Sequence, residues 1–203
     1  MTTDAGGDGG GTESDAYAQR LERLEGAWWK RALDVQRPYR WNLRRLRPGF
    51  VLDVGCGIGR NLSHLDGHGV GVDHNHASVA TCRARGFTAF TAEEFAATHY
   101  ARPETFDALL CSHVVEHMTA AEARGLLADY LPFVKAAGRV ILITPQERGF
   151  ASDATHVEFA DFACLEALAG DMGLRVDSRR SFPFPRLVGK VFTYNEFVVV
   201  AHR

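Results

Sequence analysis

The stretch Asp53-Val54-Gly55-Cys56-Gly57-Ile58-Gly59 decides the fold. It follows a short apolar run and precedes a helical pattern beginning at Arg60. It therefore predicts a tight turn in which backbone N–H groups can approach a ligand with no Cβ in the way. The spacing is G-x-G-x-G, and Arg60 stands where the dinucleotide fingerprint G-x-G-x-x-G has its last glycine. A pyrophosphate needs the close packing which that glycine allows, so the turn favours a nucleoside ligand without phosphate.

A second acid lies where such a ligand would place its sugar. Asp73 ends the next apolar run, 20 residues after Asp53, and in a parallel sheet it would lie across the crevice from the glycine turn. A carboxylate there can accept hydrogen bonds from both ribose hydroxyls, which a neutral side chain would do poorly. Turn, strand and acid together predict a nucleoside-binding site.

Outward from this turn, apolar runs alternate with helical patterns. The strand candidates are residues 51–54, 69–72, 88–90, 106–111 and 139–143, and the helix candidates are residues 60–65, 77–85, 120–135 and 159–172. Strands separated by helices cannot be hairpins, so they should pair in parallel and carry helices on both faces. Residues 174–182 and 191–201 are strand-like with no helix between them, so they should pair antiparallel. The sequence thus predicts a doubly wound α/β fold with a mostly parallel seven-stranded sheet and an antiparallel last strand.

Composition sets the outer limits. The 203 residues suit one domain, and residues 1–14 have too few large apolar side chains to order, which predicts a disordered tail. Residues 15–48 show helical spacing that Pro38 interrupts, and a second short helix is predicted for residues 39–46. The net charge of −2 disfavours nucleic acid as a partner, and no apolar stretch reaches the length of a membrane span. The acidic, glycine-rich start is unlike a signal peptide, so we expect a cytoplasmic protein with reduced cysteines.

Four strings carry a family resemblance: VLDVGCGIGRNL at 51–62, GVDHN at 71–75, Thr91-Ala92-Glu93, and FDALLCSHVVEHM at 106–118. They resemble the first to fourth motifs of the class I S-adenosylmethionine-dependent methyltransferases, and the likeness runs from about Phe50 to the C-terminus. The resemblance implies that residues 49–203 form a Rossmann-like methyltransferase domain with an antiparallel seventh strand at the sheet edge. It also implies S-adenosylmethionine as cofactor, S-adenosylhomocysteine as product, and a helical lid formed by residues 15–48.

The same resemblance assigns the cofactor contacts. Asp53 and Gly55 would face the methionine end, Asp73 the ribose, and Ala92 and Glu93 the adenine. The full set of candidate cofactor-binding residues is Asp53, Gly55, Cys56, Gly57, Gly59, Asp73, His74, Ala92, Glu93, Cys111, Ser112 and His113. The last three would line the side of the sulfonium.

Methyl transfer from a sulfonium is an in-line displacement, so the protein mainly positions the acceptor and removes its proton where it has one. Four titratable residues after the fourth and fifth strands are candidates for this catalytic role: His113, Glu116, His117 and His156. Histidine suits it because an ordinary pKa of about 6.5 lets it take a proton at neutral pH. Glu116 and His117 could instead serve only to position their loop.

A metal is the alternative for this cluster. The pattern His113-x-x-Glu116-His117, with the distant His156, resembles the E-x-x-E-H and downstream histidine set that binds a divalent ion in small-RNA terminal 2′-hydroxyl methyltransferases. It also resembles, in part, the set in quinone-biosynthesis O-methyltransferases. Such an ion would lower the pKa of a bound hydroxyl. Because the first position here is a histidine and not an acid, we assign no metal.

The predicted acceptor is a small molecule. Residues 34–42, 144–156 and 181–186 would line it. Three basic residues, Arg148, Arg186 and Lys190, would either bind an anionic group of the acceptor or lie in solvent. We predict O-methylation of a sugar, a lipid-linked glycan or a secondary metabolite. The alternatives are an N-methyltransferase, in which Glu116 would bind the amine, and a non-catalytic protein that binds S-adenosylmethionine. The oligomeric state stays open.

Overall fold

The computed structural model describes residues 36–203. The tail predicted for residues 1–14, and residues 15–35 of the predicted lid, lie outside this part. In chain order the elements are α1 (Arg37–Arg45), β1 (Val51–Val54), α2 (Arg60–His64), β2 (Gly69–Val72), α3 (His76–Ala84), β3 (Ala89–Phe90), α4 (Ala92–Ala96), β4 (Phe106–Ser112), α5 (Ala120–Tyr130), β5 (Val134–Pro145), α6 (Glu147–Phe150), α7 (Phe162–Asp171), β6 (Arg175–Phe182) and β7 (Glu196–His202). Short 3-10 turns occupy Val115–His117, Leu131–Phe133 and Arg186–Lys190.

The strands form one sheet in the order β3-β2-β1-β4-β5-β7-β6. Neighbouring strands from β3 to β5 in this order pair in parallel. Strand β7 runs antiparallel to both β5 and β6. This confirms the predicted doubly wound, mostly parallel seven-stranded sheet with an antiparallel last strand. The strand order reverses direction beside β1, between β1 and β4, which is where open α/β sheets leave a crevice for a ligand.

Alternate residues of the central strands enter different cores. Leu52 and Leu109 belong to a core shared with α5 and α7, whereas Val51 and Leu110 belong to a second core that includes Leu43 of α1. Because both faces are covered, the central strands are apolar at nearly every position and do not alternate with polar residues. Helices on both faces therefore bury the sheet, as the sequence predicts.

Several boundaries differ from the predicted ones. The helix predicted for residues 120–135 ends at Tyr130, because Pro132 cannot donate a backbone hydrogen bond, and β5 begins at Val134. The last strand begins at Glu196 and not at residue 191, because Arg186–Lys190 forms a 3-10 turn followed by a short loop. The short helices α4 and α6 were not predicted. The short helix predicted for residues 39–46 is α1, which begins at Arg37 because Pro38 lies in the first turn, where a missing N–H costs nothing.

One buried polar network holds the chain between β6 and β7. The Asn195 side chain donates hydrogen bonds to Gln146 Oε1 (3.0 Å) and Ser181 Oγ (2.8 Å), and it accepts one from the Phe184 N–H (2.9 Å). Gln146 in turn donates to the Glu196 carbonyl (2.9 Å). Since Glu196 pairs with Pro145, the network fixes the start of β7 at the carboxyl end of β5.

No helix within residues 36–203 has the length and apolar character that crossing a bilayer requires.

Candidate functional site

The glycine turn after β1 adopts a backbone that only glycine takes readily. Gly55, Gly57 and Gly59 have φ of +75°, +51° and +83°. A Cβ placed on Gly55 would lie 2.2 Å from a methyl carbon of Val114, so a side chain has no room there. The Gly55 and Cys56 N–H groups donate to the Val72 carbonyl at 2.8 and 3.1 Å, which ties the turn to the end of β2.

Asp73 stands directly beside this turn. One carboxylate oxygen accepts the Gly57 N–H at 2.8 Å and the other accepts the Asn75 N–H at 2.9 Å. Each oxygen keeps a second lone pair, so the carboxylate is oriented by the backbone and can still accept two hydroxyl groups. The predicted pairing of turn and acid across the crevice is therefore present. His74 lies 3.5 Å from the Asp73 carboxylate with its side chain almost wholly in solvent.

Asp53, the last acid before the turn, is fully buried. Asn61 donates to one carboxylate oxygen at 3.1 Å, and the other oxygen has no hydrogen-bond partner among residues 36–203. Burial raises the pKa of Asp53, the hydrogen bond from Asn61 lowers it and the charge of Asp73 raises it, so that the pKa is about 7. A buried, unpaired acceptor is costly unless a ligand completes it.

The other candidate cofactor residues differ in how far they are buried. Cys56 and Cys111 are buried in apolar clusters, so their thiols pack in the core. Ser112 ends β4 and is half-buried. Ala92 and Glu93 are exposed in the first turn of α4. The string Thr91-Ala92-Glu93, which resembles the third motif, therefore forms the N-terminus of α4.

His113 is held between two carboxylates. Its Nδ1 lies 3.2 Å from Glu116 Oε1 and its Nε2 lies 2.9 Å from Glu196 Oε1. Burial lowers the pKa of His113, but the hydrogen bonds and charges of Glu116 and Glu196 outweigh it and raise the pKa to about 10. The geometry agrees, because a neutral imidazole has one N–H and could donate to only one of two carboxylates. His113 is therefore an imidazolium at neutral pH.

Glu196 was not among the residues identified from the sequence. It is 83 residues from His113 along the chain and is the first residue of β7. No local motif marks it, and only the antiparallel pairing of β7 with β5 brings it to His113. A pattern search around the fourth motif could not have found it.

Glu116, His117 and His156 form a second group on the same edge. Their ligand atoms all lie within 4.8 Å of one another, and the two imidazole rings are 4.7 Å apart. His117 Nδ1 contacts the Thr155 carbonyl (3.2 Å) and His156 Nδ1 the Phe150 carbonyl (2.7 Å), which leaves each Nε2 available. The Glu116 Oε2 atom is buried without a partner in the described part of the chain.

This second group fits a divalent ion as a three-residue set. Two imidazoles held by backbone carbonyls and one carboxylate are ligands that zinc and manganese accept. The predicted fourth residue, His113, is not part of it, because both of its ring nitrogens face carboxylates. Arg186, one candidate for an anionic group, instead makes two hydrogen bonds to Glu147, so its charge is balanced.

Comparison with known proteins gives a domain match over part of the chain and a fold. Residues 51–138 match the family model described as a methyltransferase domain. No curated protein matches the chain significantly.

Many solved structures share the fold. A SAM-dependent methyltransferase from Archaeoglobus fulgidus has a TM-score of 0.68 at 20% identity, covering 92% of this chain and 99% of that one. A TehB-like SAM-dependent methyltransferase from Corynebacterium glutamicum gives 0.63 at 19% identity, with 95% and 98% covered. Magnesium protoporphyrin IX methyltransferase from Synechocystis PCC 6803, with bound SAM, gives 0.60 at 15% identity, with 99% and 100% covered.

The glycine turn can be tested by adding one methyl group. Gly55→Ala forces a Cβ into Val114 at a positive φ, so we expect S-adenosylmethionine to bind at least about tenfold more weakly by calorimetry. Gly86→Ala is the matched control, because Gly86 also has a positive φ (+87°) but a Cβ there meets no atom within 4 Å. Equal affinities in the two variants would contradict this role of the turn.

The pKa of Asp53 predicts a pH dependence. A cationic donor favours the ionised carboxylate, so binding must release the proton that Asp53 carries below its pKa of about 7. Between pH 5.5 and 7 we expect the affinity for S-adenosylmethionine to rise with pH, by up to about tenfold per unit at the acid end. Asp53→Asn should bind weakly with a flat profile over that range. A flat profile in the unmodified protein would rule out this pairing.

The family match covers β1 to the first part of β5, and the shared fold extends over the rest of residues 36–203. The chain therefore contains a methyltransferase domain at residues 51–138 and has the fold of solved SAM-dependent methyltransferases.

Proposed function

We propose that this methyltransferase acts on an oxygen atom of a small molecule bound at the carboxyl edge of the sheet, beside His113. The observation that carries the proposal is the Glu116–His113–Glu196 cluster, which adjoins the glycine turn through Val114. A charged, partly exposed cluster at this position can accept the proton of an acceptor hydroxyl. The methyl donor itself needs no acid or base.

The donor side of the proposal uses the first and second motifs. Asp73 receives the ribose hydroxyls, and the unpaired oxygen of Asp53 receives the amino group of the methionine end. The exposed first turn of α4, with Ala92 and Glu93, meets the adenine. Support for this arrangement is the one remaining lone pair on each Asp73 oxygen and the buried, unsatisfied oxygen of Asp53.

On the acceptor side, the oxygen attacks the methyl carbon in line with the departing sulfur. The C–S bond breaks, the C–O bond forms, and the hydroxyl proton has to leave. His113 cannot take that proton while both of its N–H groups donate to carboxylates, so the proton goes to Glu196, whose side chain is 11% exposed. The His113 imidazolium orients Glu196 and balances the charge of the buried Glu116.

A divalent ion held by Glu116, His117 and His156 would supply a Lewis acid that lowers the pKa of the acceptor hydroxyl.

N-methylation is the second candidate function. Two carboxylates around one imidazolium leave the cluster with a net negative charge, which would attract a protonated amine.

Release of S-adenosylhomocysteine from a panel of alcohols, phenols, carboxylic acids and amines tests the proposal. We expect turnover with a hydroxyl acceptor and a loss of about 100-fold or more in kcat for Glu196→Gln, with the affinity for S-adenosylmethionine unchanged. Glu166→Gln is the control, since Glu166 pairs with Arg179 away from the cluster. Turnover only with amines would favour the second candidate, and no release with any acceptor class would favour a non-catalytic binding protein.

Removal of divalent ions tests whether the proposed donor contacts are independent of the Glu116–His117–His156 group. The donor contacts on the glycine turn share no hydrogen bond with His117 or His156, so treatment with a chelator should leave the affinity for S-adenosylmethionine within about twofold. Metal analysis before and after treatment, together with turnover, decides whether an ion takes part. Loss of donor binding on chelation would contradict the separation.

A further inference from the structure

The described residues expose six large apolar side chains, and five of them lie at one corner of the molecule. We call this set the apolar corner: Trp41, Phe184, Leu187, Val191 and Tyr194. Leu187 and Val191 are 75% and 77% exposed. The sixth residue, Val157, is on the loop after α6. Grouped apolar exposure on this scale marks a binding surface more often than chance packing does.

Ring contacts join the two sequence segments of the apolar corner. Trp41 stacks on Phe182 with ring centroids 6.3 Å apart, and Tyr39 meets the edge of the same ring at 5.8 Å. The Tyr39 hydroxyl donates to the Tyr194 carbonyl at 2.6 Å, and Phe192 packs on Tyr194 at 5.8 Å. Helix α1 and the loop before β7 thus present one continuous surface.

The loop that carries most of the apolar corner is fixed from below. Asn195 accepts the Phe184 N–H, and its own side-chain amide donates into the buried Gln146–Ser181 pair. A Cβ on Gly189 would lie 1.8 Å from Gln146 Oε1, so the backbone sits directly on this network. A loop anchored in this way does not fold inward, and among residues 36–203 its apolar side chains remain exposed.

The apolar corner leads directly into the proposed acceptor site. The loop ends at Glu196, whose carboxylate contacts His113 at 2.9 Å. Tyr39 lies close enough to Glu196 that burial, followed by the charge of this carboxylate, raises the pKa of the tyrosine. An apolar surface therefore adjoins a charged cluster at one edge of the sheet.

We propose that the acceptor is amphipathic, with an acyl or aryl body that lies on the apolar corner and a polar head that reaches Glu196 and His113. This inference rests on the acceptor site proposed above and narrows its substrate class. A molecule with polar groups alone, such as a free sugar, would leave the apolar corner in water and gain nothing from it. A ligand with both parts uses the full length of the surface.

Calorimetry with decyl maltoside below its micelle concentration tests the apolar corner without a known acceptor, and maltose serves as the head-group control. We expect saturable binding of decyl maltoside to the full chain and none of maltose. The double variant Leu187→Ser/Val191→Ser should bind at least about tenfold more weakly, which corresponds to about 1.4 kcal/mol. Val157→Ser is the control and should bind like the unmodified protein, because Val157 is also largely exposed (60%) but lies outside the apolar corner.

Affinity for S-adenosylmethionine, measured on the same samples, should be equal in all variants, so failure of the apolar corner can be told from failure of the donor site. Equal decyl maltoside binding by the double variant and the Val157→Ser control would overturn the inference. The inference would also be overturned if the unmodified protein bound phosphatidylcholine vesicles but not monomeric decyl maltoside, and if the double variant lost the binding to vesicles. A dimer in light scattering that the double variant converts to a monomer would likewise assign the surface to a second copy of the chain.

Discussion

The approach of Gly55 to Val114 is the contact on which the site depends. Gly55 belongs to the turn after β1, and Val114 follows His113 just after the end of β4, so this contact joins the proposed donor side to the proposed acceptor side. It exists because β1 and β4 are neighbouring parallel strands whose carboxyl ends meet at one edge. Any side chain at position 55 would push the two halves apart, and an in-line displacement tolerates little misplacement of its reacting atoms.

The two halves are built by different physical means. On the donor side, backbone N–H groups fix Asp73, and the turn is a local structure set by three positive φ angles. On the acceptor side, the fixed element is a charge network in which one imidazolium satisfies two carboxylates. The first arrangement suits a ligand that is always the same, whereas the second depends on residues from two separate segments and can vary with the acceptor.

Three buried carboxylates at the carboxyl edge of the sheet destabilise the fold unless each has a partner. Asp53, Glu116 and Glu196 are all removed from solvent, and an ionised carboxylate is stable there only with a partner. Glu116 and Glu196 share His113, while Asp53 and Glu116 each keep one oxygen without a partner in residues 36–203. Polar groups left incomplete in a well-packed interior point to ligands that complete them, in agreement with a site that binds a cationic donor on one side and an acceptor on the other.

By itself, the sequence determined the doubly wound sheet, the antiparallel last strand, the glycine turn and its partnership with Asp73. These follow from local rules, since strand and helix periods, glycine at positive φ and an acid at a strand end are all written in short segments. Tertiary structure alone decided that Glu196 meets His113, that His113 is therefore charged and not a free base, and that Tyr39 of α1 reaches Tyr194 in the loop before β7. The reason is that these contacts join segments more than 80 residues apart through strand pairing and helix packing, which no local pattern encodes.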